Sequence, residues 1–172
     1  MNGDLWRMWE AGVPKDICND ICARAEKNFP VDDDVGTQLL FLTGDEYLTN
    51  LLYGFADEAN QVAFGVNVFK RGEIQFTKQN PSVSQAADWH HDIDWHLSDG
   101  VIRKLSVLIQ LSDPSEYTGG DFYFDECETP DEALKKQGSV LVYPSYLKHI
   151  TTPVETGARR FLAAWFYGPK WQ

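Results

Sequence analysis

The sequence is poor in cysteine, in basic residues and in long apolar runs, and each shortage excludes a class of protein. Its 172 residues include only three cysteines, too few for a disulfide-rich scaffold. Fifteen basic residues against 26 acidic ones give a net charge of −11, which repels nucleic-acid backbones and anionic membranes. No run approaches the roughly 20 apolar residues that span a membrane. We therefore expect neither nucleic acid nor membrane as a partner.

The cysteines and the amino end favour a cytoplasmic location. Cys18 and Cys22 lie four residues apart in a predicted helix, where they are expected to pack as reduced thiols. A zinc site would need more soft ligands than these two. The first residues lack the charged-then-apolar layout of a secretory signal.

Hydrophobic periodicity changes once along the chain, from helical to alternating. Residues 14–28 are predicted to form a first helix, with Ile17, Ile21 and Ala25 on one apolar stripe. The capping-box spacing of Thr43 and Glu46 predicts a second helix that ends near residue 60. Short alternating segments follow, separated by clusters of Gly, Pro, Asn and Ser. The predicted strands are 63–69, 73–78, 88–92, 103–111, 121–125, 139–142, 148–151 and 160–167.

About eight short strands after a helical start predict a mainly β fold with flanking helices. The expected architecture is a double-stranded β-helix, a jelly-roll or cupin-like barrel that the N-terminal helices brace. Residues 1–172 are interpreted as one domain, with helical support in 1–60 and the jelly-roll core in 61–172. We expect a monomer or a weak dimer.

Three of the four histidines fall within the segment 90–96. Residues two apart on a strand point to the same side, so His90 and Asp92 are expected to project together and His91 to the opposite face. One imidazole and one carboxylate supply two metal ligands. A third ligand from a distant strand would leave three positions open, as in non-haem Fe(II) oxygenases. A His-x-Asp pair alone, however, is more often a surface hydrogen bond.

A second motif, far downstream, makes the pattern specific. His149 begins the run His-Ile-Thr-Thr-Pro-Val-Glu-Thr-Gly-Ala-Arg, which ends at Arg159. With His90-x-Asp92 before it, the chain resembles the prolyl-hydroxylase-like branch of the Fe(II)/2-oxoglutarate-dependent oxygenases. The segments 103–114, 117–122 and 138–145 also resemble that branch, and the resemblance covers roughly residues 63–168.

The resemblance implies a role for each matching residue. His90, Asp92 and His149 would be the iron ligands, and Arg159 would pair with the far carboxylate of 2-oxoglutarate, a role that suits its planar fork. Gln110, on the polar side of the predicted strand 103–111, is a second candidate contact with 2-oxoglutarate. By the same logic Trp165 is a candidate floor of the pocket, although core packing would explain it equally well.

Members of that branch typically carry two tyrosines just before the first iron ligand. This chain has none in residues 79–88, and Gln79 is a candidate replacement for one hydroxyl. Asp92 is retained, whereas related halogenases need a small residue there, so halogenation is not expected.

The implied reaction uses Fe(II), 2-oxoglutarate and O2, with ascorbate as an accessory reductant. A C–H bond is hydroxylated and succinate and CO2 are released, without a catalytic side chain beyond the metal ligands. A proline-containing peptide or protein is the leading substrate, and a free amino acid or another small molecule is the alternative. Two other classes stay open at this stage, a non-enzymatic metal-binding jelly roll and a zinc hydrolase that uses the same histidines.

Overall fold

The computed structural model describes residues 5–29, 36–81, 88–96, 100–130 and 132–170. Two α-helices, α1 (Lys15–Glu26) and α2 (Glu46–Ala59), confirm the helical start of the chain. The buried stripe of α1 consists of Cys18, Ile21 and Ala25. The predicted stripe contained Ile17, which is only half-buried, in place of Cys18. None of the described helices is long and apolar enough to cross a membrane.

The start of α2 differs from the predicted capping box. Asp45 is the N-cap, and its side chain accepts a hydrogen bond from the Leu48 N–H at 2.9 Å. The Thr43 hydroxyl instead accepts from the Ile74 N–H at 3.1 Å. The helix therefore begins two residues later than a Thr43 cap would place it, because the Thr43 side chain is engaged by a neighbouring strand.

In the described part of the chain, ten strands form one large antiparallel sheet and two small strand pairs. They are β1 (Arg7–Trp9), β2 (Thr37–Phe41), β3 (Gly72–Gln79), β4 (Val101–Gln110), β5 (Tyr117–Gly119), β6 (Phe122–Phe124), β7 (Val140–Pro144), β8 (His149–Thr151), β9 (Val154–Gly157) and β10 (Arg159–Pro169). The main sheet has the order β1-β7-β4-β10-β3-β2, while β5 pairs with β9 and β6 pairs with β8. The mainly β prediction is confirmed.

The main sheet separates two hydrophobic clusters. On one face, alternate residues of β4 such as Leu105 and Ile109 join the buried stripes of α1 and α2. On the other face, Leu108 and Tyr143 pack with Phe122 and other apolar residues of a smaller cluster. The helices therefore cover one side of the sheet, and the small strand pairs leave room for a site on the other.

Two predicted strands are not formed as expected. In place of a strand over 63–69, α2 runs on into a π-helical turn, Asn60–Phe64, which ends at Gly65 with φ +62°. The Asn60 amide then bonds both the N–H and the C=O of Val66, at 2.9 and 2.8 Å, so these groups do not join a sheet. The segment 88–92 pairs only at His90, where an isolated bridge joins it to His149.

The first 60 residues also contribute strands, which the sequence pattern missed. β1 and β2 form the two edges of the main sheet, so this part of the chain is more than helical support. The interpretation of residues 1–172 as a single domain stays a prediction.

The three cysteines are free thiols, of which Cys18 and Cys22 belong to the helical side of the sheet and Cys127 to the smaller cluster. Cys18 is buried, and Cys22 and Cys127 are half-buried. Burial raises the pKa of Cys18 to about 11 and that of Cys22 to about 12. At neutral pH both are therefore protonated, unreactive packing groups.

The contact between α2 and the sheet should dominate stability. Leu52 is fully buried at this contact, so Leu52→Ala should lower the free energy of unfolding by about 2–5 kcal/mol through lost burial and a cavity. Leu39→Ala is the matched control, because Leu39 is 51% exposed on the edge strand β2. It should cost less than about 1 kcal/mol. Urea unfolding measures both, and equal losses would contradict the assigned core.

Candidate metal and anion site

His90 and His149 are brought together by the backbone. The N–H of each residue donates to the C=O of the other at 3.0 Å. Residues paired in this way send their side chains to the same face of the strands, and the two imidazole centroids lie 4.4 Å apart. A contact between residues 59 positions apart in sequence is thereby fixed by two backbone hydrogen bonds.

Asp92 completes a triangle with the two histidines. Its Oδ1 lies 3.7 Å from His90 Nε2 and 3.6 Å from His149 Nε2. One ligand atom from each residue falls within 4.8 Å of the others, so the group can hold a metal ion. Two imidazole nitrogens and one carboxylate oxygen are the donor set of Fe(II) oxygenases, and the residues present fit such an ion.

Both histidines present the ring nitrogen that a metal needs. The Nδ1 atoms of His90 and His149 lie 2.9 and 3.0 Å from the C=O groups of Asp88 and Leu147. A carbonyl only accepts, so each Nδ1 carries the proton and each Nε2 keeps its lone pair. Burial lowers the pKa of His149, although Asp92 acts in the opposite direction, and the neutral form that binds metal is thus favoured.

The outer oxygen of Asp92 is held by two hydroxyl groups. Ser106 and Tyr143 donate to Oδ2 at 2.7 and 3.0 Å. Burial raises the pKa of the Tyr143 phenol, and the Asp92 charge raises it further, so the phenol stays protonated and can donate. Neither residue was a candidate in the sequence analysis, where nothing in the spacing of a serine and a tyrosine distinguished them.

A cleft of about 180 Å³ opens beside the triangle. Its wall includes all three residues of the triangle together with Gln79 and Trp165. Trp165 thus lines the cleft, and its role as the floor of a 2-oxoglutarate pocket stays a prediction. The Arg103 guanidinium lies 4.4 Å from the centre of the indole ring, in a cation–π contact.

Arg159 is a buried cation whose hydrogen-bond partners are neutral groups. It is 2% exposed, and it donates to Gln110 Oε1 at 3.1 Å and to Gln79 Oε1 at 3.3 Å. Its guanidinium also stacks 4.4 Å from the centre of the Phe161 ring. Within the described ranges, no carboxylate oxygen lies within 4 Å of it. Burial lowers the pKa of Arg159, and Tyr117 and the charge of Asp121 oppose this.

Gln110 lies beside Arg159, with its amide fully engaged. Its Nε2 donates to the Tyr117 hydroxyl at 3.0 Å and to the Ser112 C=O at 3.3 Å, while its Oε1 accepts from Arg159. Gln79 and Phe161, which both contact Arg159, also line the cleft. Gln110 therefore orients Arg159, and Tyr117 is a further polar neighbour that the sequence did not single out.

The other residues of the histidine-rich segment point elsewhere. His91 is exposed and bonds the Tyr146 C=O through Nδ1 at 2.6 Å, as expected for the opposite face. Trp95 is 62% exposed, and His96 is exposed too. The loop at 79–88 that lacks tyrosines lies mostly outside the described residues, which resume at Asp88.

Comparison with known proteins identifies the family of this chain. The family model described as the 2OG-Fe(II) oxygenase superfamily matches residues 74–167, more than half of the sequence. The chain therefore belongs to the 2OG-Fe(II) oxygenase superfamily.

Curated relatives are PKHD-type hydroxylases. One from Idiomarina loihiensis is 26% identical over 152 residues, which cover 88% of this chain and 60% of the relative. One from Synechococcus is 31% identical over 83 residues, which cover 48% of this chain and 36% of the relative. The chain thus spans less than two thirds of the length of these relatives.

Solved structures confirm the fold. A prolyl-4-hydroxylase from Pseudomonas putida superimposes with a TM-score of 0.71 at 19% identity, over 97% of this chain and 94% of the other. A viral collagen prolyl hydroxylase from Paramecium Bursaria Chlorella virus-1, in complex with 2OG, gives 0.71 at 15% identity, over 96% and 97%. The predicted double-stranded β-helix is therefore confirmed.

Gly120 leaves the space that Arg159 occupies. A Cβ there would lie 2.8 Å from Arg159 Cδ, at φ +64°. Gly120→Ala should therefore displace the guanidinium and weaken 2-oxoglutarate binding about tenfold, the effect of one charge-assisted hydrogen bond. Gly65→Ala is the matched control, because Gly65 has φ +62° and no neighbour within 4 Å of an added Cβ. Calorimetric titration with 2-oxoglutarate measures both variants and separates displacement of Arg159 from backbone strain. Equal affinities in the two variants would contradict the predicted displacement.

Proposed function

We propose that this protein is an Fe(II)- and 2-oxoglutarate-dependent dioxygenase that hydroxylates a prolyl residue in a peptide or protein. One observation carries the proposal. A His-Asp-His triangle, in which each residue offers one ligand atom, shares its cleft with the two residues, Gln79 and Phe161, that contact the buried Arg159. Membership of the superfamily supports the same reaction.

His90 Nε2, Asp92 Oδ1 and His149 Nε2 would hold the iron. Bound there, Fe(II) would supply the activation of O2 that a C–H hydroxylation requires. The protein contributes fixed ligand directions through the backbone carbonyls at the two Nδ1 atoms. It also contributes a buried carboxylate, since Asp92 is only 8% exposed.

Arg159 would bind the far carboxylate of 2-oxoglutarate. A buried guanidinium without an opposite charge is costly, and a carboxylate partner would offset that cost through two parallel hydrogen bonds. Gln110 and Phe161 hold the guanidinium in place, while Gln79 contacts it from the cleft wall. Gln79 would therefore meet the cosubstrate beside Arg159, and Trp165 would form the cleft floor.

The prolyl substrate is the finer part of the proposal. It is supported by the prolyl hydroxylases among the solved structures of this fold. The cleft is also lined by the flat rings of Trp165 and Phe161, against which a pyrrolidine ring can pack. A free amino acid or another small molecule is the alternative that the assay below tests.

Succinate formation tests the cosubstrate chemistry. With Fe(II), 2-oxoglutarate and ascorbate as reductant, the wild-type protein should release succinate, and a chelator should stop the release. His149→Ala should lose more than about 100-fold, since removal of even an outer partner of a metal ligand costs about 10- to 100-fold. His91→Ala, which changes a neighbouring exposed histidine, should retain the rate. Equal rates in the two variants would remove His149 from the metal site.

The cosubstrate anchor has a matched control in the next residue. Arg159→Ala should raise the 2-oxoglutarate concentration for half-maximal rate by about 10- to 100-fold, because a charged hydrogen-bond pair is lost. Arg160 pairs with Glu26 and Glu116 on the helical side, so Arg160→Ala should leave that concentration unchanged. A steady-state titration measures both, and a shift in Arg160→Ala alone would reject the anchor.

Peptide mass tests the substrate class. A proline-rich peptide incubated with the active system should gain one oxygen, and the same peptide with alanine in place of proline should not. Mass spectrometry measures the gain, with succinate counted in parallel. Succinate without a modified peptide would keep the oxygenase and discard the prolyl substrate.

A further inference from the structure

The polar atoms of Asp92 are fixed, with one exception. Its N–H donates to the Ser145 C=O at 3.0 Å, and its C=O accepts from Arg103 Nη1 at 3.3 Å. Its Oδ2 accepts from the Ser106 and Tyr143 hydroxyls at 2.7 and 3.0 Å. Within the described part of the chain, Oδ1 accepts no hydrogen bond and faces the two histidines.

The two hydroxyls reach the same oxygen because of the sheet register. Ser106 on β4 and Tyr143 on β7 are direct cross-strand partners, and both line the cleft. Ser106 is held in turn by the Ser145 hydroxyl, 2.9 Å away. The Tyr143 ring packs edge-on against Phe124 and His149. These donors are therefore built into the rigid main sheet.

The phenol proton of Tyr143 has two neighbours. Its oxygen lies 3.0 Å from Asp92 Oδ2 and 3.3 Å from His149 Nε2. A ligand at His149 Nε2 would occupy that lone pair. The Tyr143 proton can then be donated only to Asp92, so a ligand in the triangle strengthens the hydrogen bond from Tyr143 to Oδ2.

We propose that Ser106 and Tyr143 are positioning residues that restrict Asp92 to ligation through Oδ1 and thereby keep one metal position open for dioxygen. The inference rests on the proposed function and deepens it. A carboxylate can bind a metal through one oxygen or through both. Two strong hydrogen bonds to Oδ2 oppose its rotation toward the metal, and at 8% exposure Asp92 has little water to replace them.

The open position matters because the coordination shell is limited. An iron ion held by one atom each of His90, Asp92 and His149 would keep three positions open, and a chelating keto acid would leave one of them for dioxygen. A second Asp92 oxygen would fill that position. The hydroxyls of Ser106 and Tyr143 would therefore keep the dioxygen position open without contacting it. If they served only folding or metal affinity, their loss would leave dioxygen binding to the loaded protein unchanged.

Nitric oxide, which binds Fe(II) where dioxygen does, reads this position directly. The full chain is loaded anaerobically with Fe(II) and saturating 2-oxoglutarate, and nitric oxide is titrated while the signal is followed by electron paramagnetic resonance. The double variant Ser106→Ala/Tyr143→Phe should bind nitric oxide at least about tenfold more weakly than the wild type, the scale of outer-partner effects at metal sites. Ser139→Ala, a loss of a buried hydroxyl whose bonds go to Ala133 and Ala11, should match the wild type.

Tyr143→Phe alone keeps the ring packing and guards against misfolding of the double variant. It retains the Ser106 donor, so an intermediate loss of nitric oxide affinity is expected. Wild-type affinity in a folded, Fe(II)-saturated Tyr143→Phe or double variant would overturn the inference and leave the proposed function intact. Failure of the wild-type chain to bind Fe(II) and 2-oxoglutarate would overturn the proposed function first, and this inference with it.

Discussion

Two backbone hydrogen bonds between His90 and His149 are the constraint on which the site depends. They join a segment that is otherwise outside the sheets to β8, which itself pairs with β6. Because the bonds are reciprocal, they set the register as well as the distance, and the two imidazoles must emerge on the same face. Asp92 then follows two residues after His90, and its N–H is held by Ser145. Main-chain hydrogen bonds thus set the backbone positions from which the three side chains of the triangle emerge.

The main sheet provides the other wall of the cleft, together with the hydroxyl donors to Asp92 and the guanidinium of Arg159. β4 and β7 carry Ser106 and Tyr143 to Asp92, and β10 begins with Arg159. The cleft therefore has on its wall a carboxylate whose outer oxygen is satisfied, and its wall residues Gln79 and Phe161 contact a guanidinium that has only neutral hydrogen-bond partners in the described residues. In a low-dielectric interior this asymmetry favours a ligand with a carboxylate at one end and metal-binding oxygens at the other. That is the form of a 2-oxo dicarboxylic acid.

The sequence predicted the long elements well, because their patterns are averaged over many residues. The strands around 73–78, 103–111 and 160–167 and both helices are present. β1 and β5, each of three residues, show no alternation that distinguishes them from the chain around them. β2 hides its pattern because Leu39 and Phe41, apolar residues of this edge strand, are exposed. The strand expected at 63–69 does not form. The Asn60 side chain bonds the N–H and C=O of Val66, the groups that would otherwise bond a neighbouring strand.

Some residues of the site can be predicted from their spacing in the sequence, and others only from their contacts in the fold. A His-x-Asp pair with a distant His and Arg forms a linear pattern, so the triangle and Arg159 could be predicted from residue order. Tyr117 and Tyr143 could not, since neither stands at a spacing from the ligands that marks it as part of the pattern. The chain lacks tyrosines at 79–88, but the fold brings one phenol to Gln110, beside Arg159, and another to Asp92. Hydroxyl donors can thus reach a buried site from any strand that faces it, and their positions in sequence carry little information about their positions in the site.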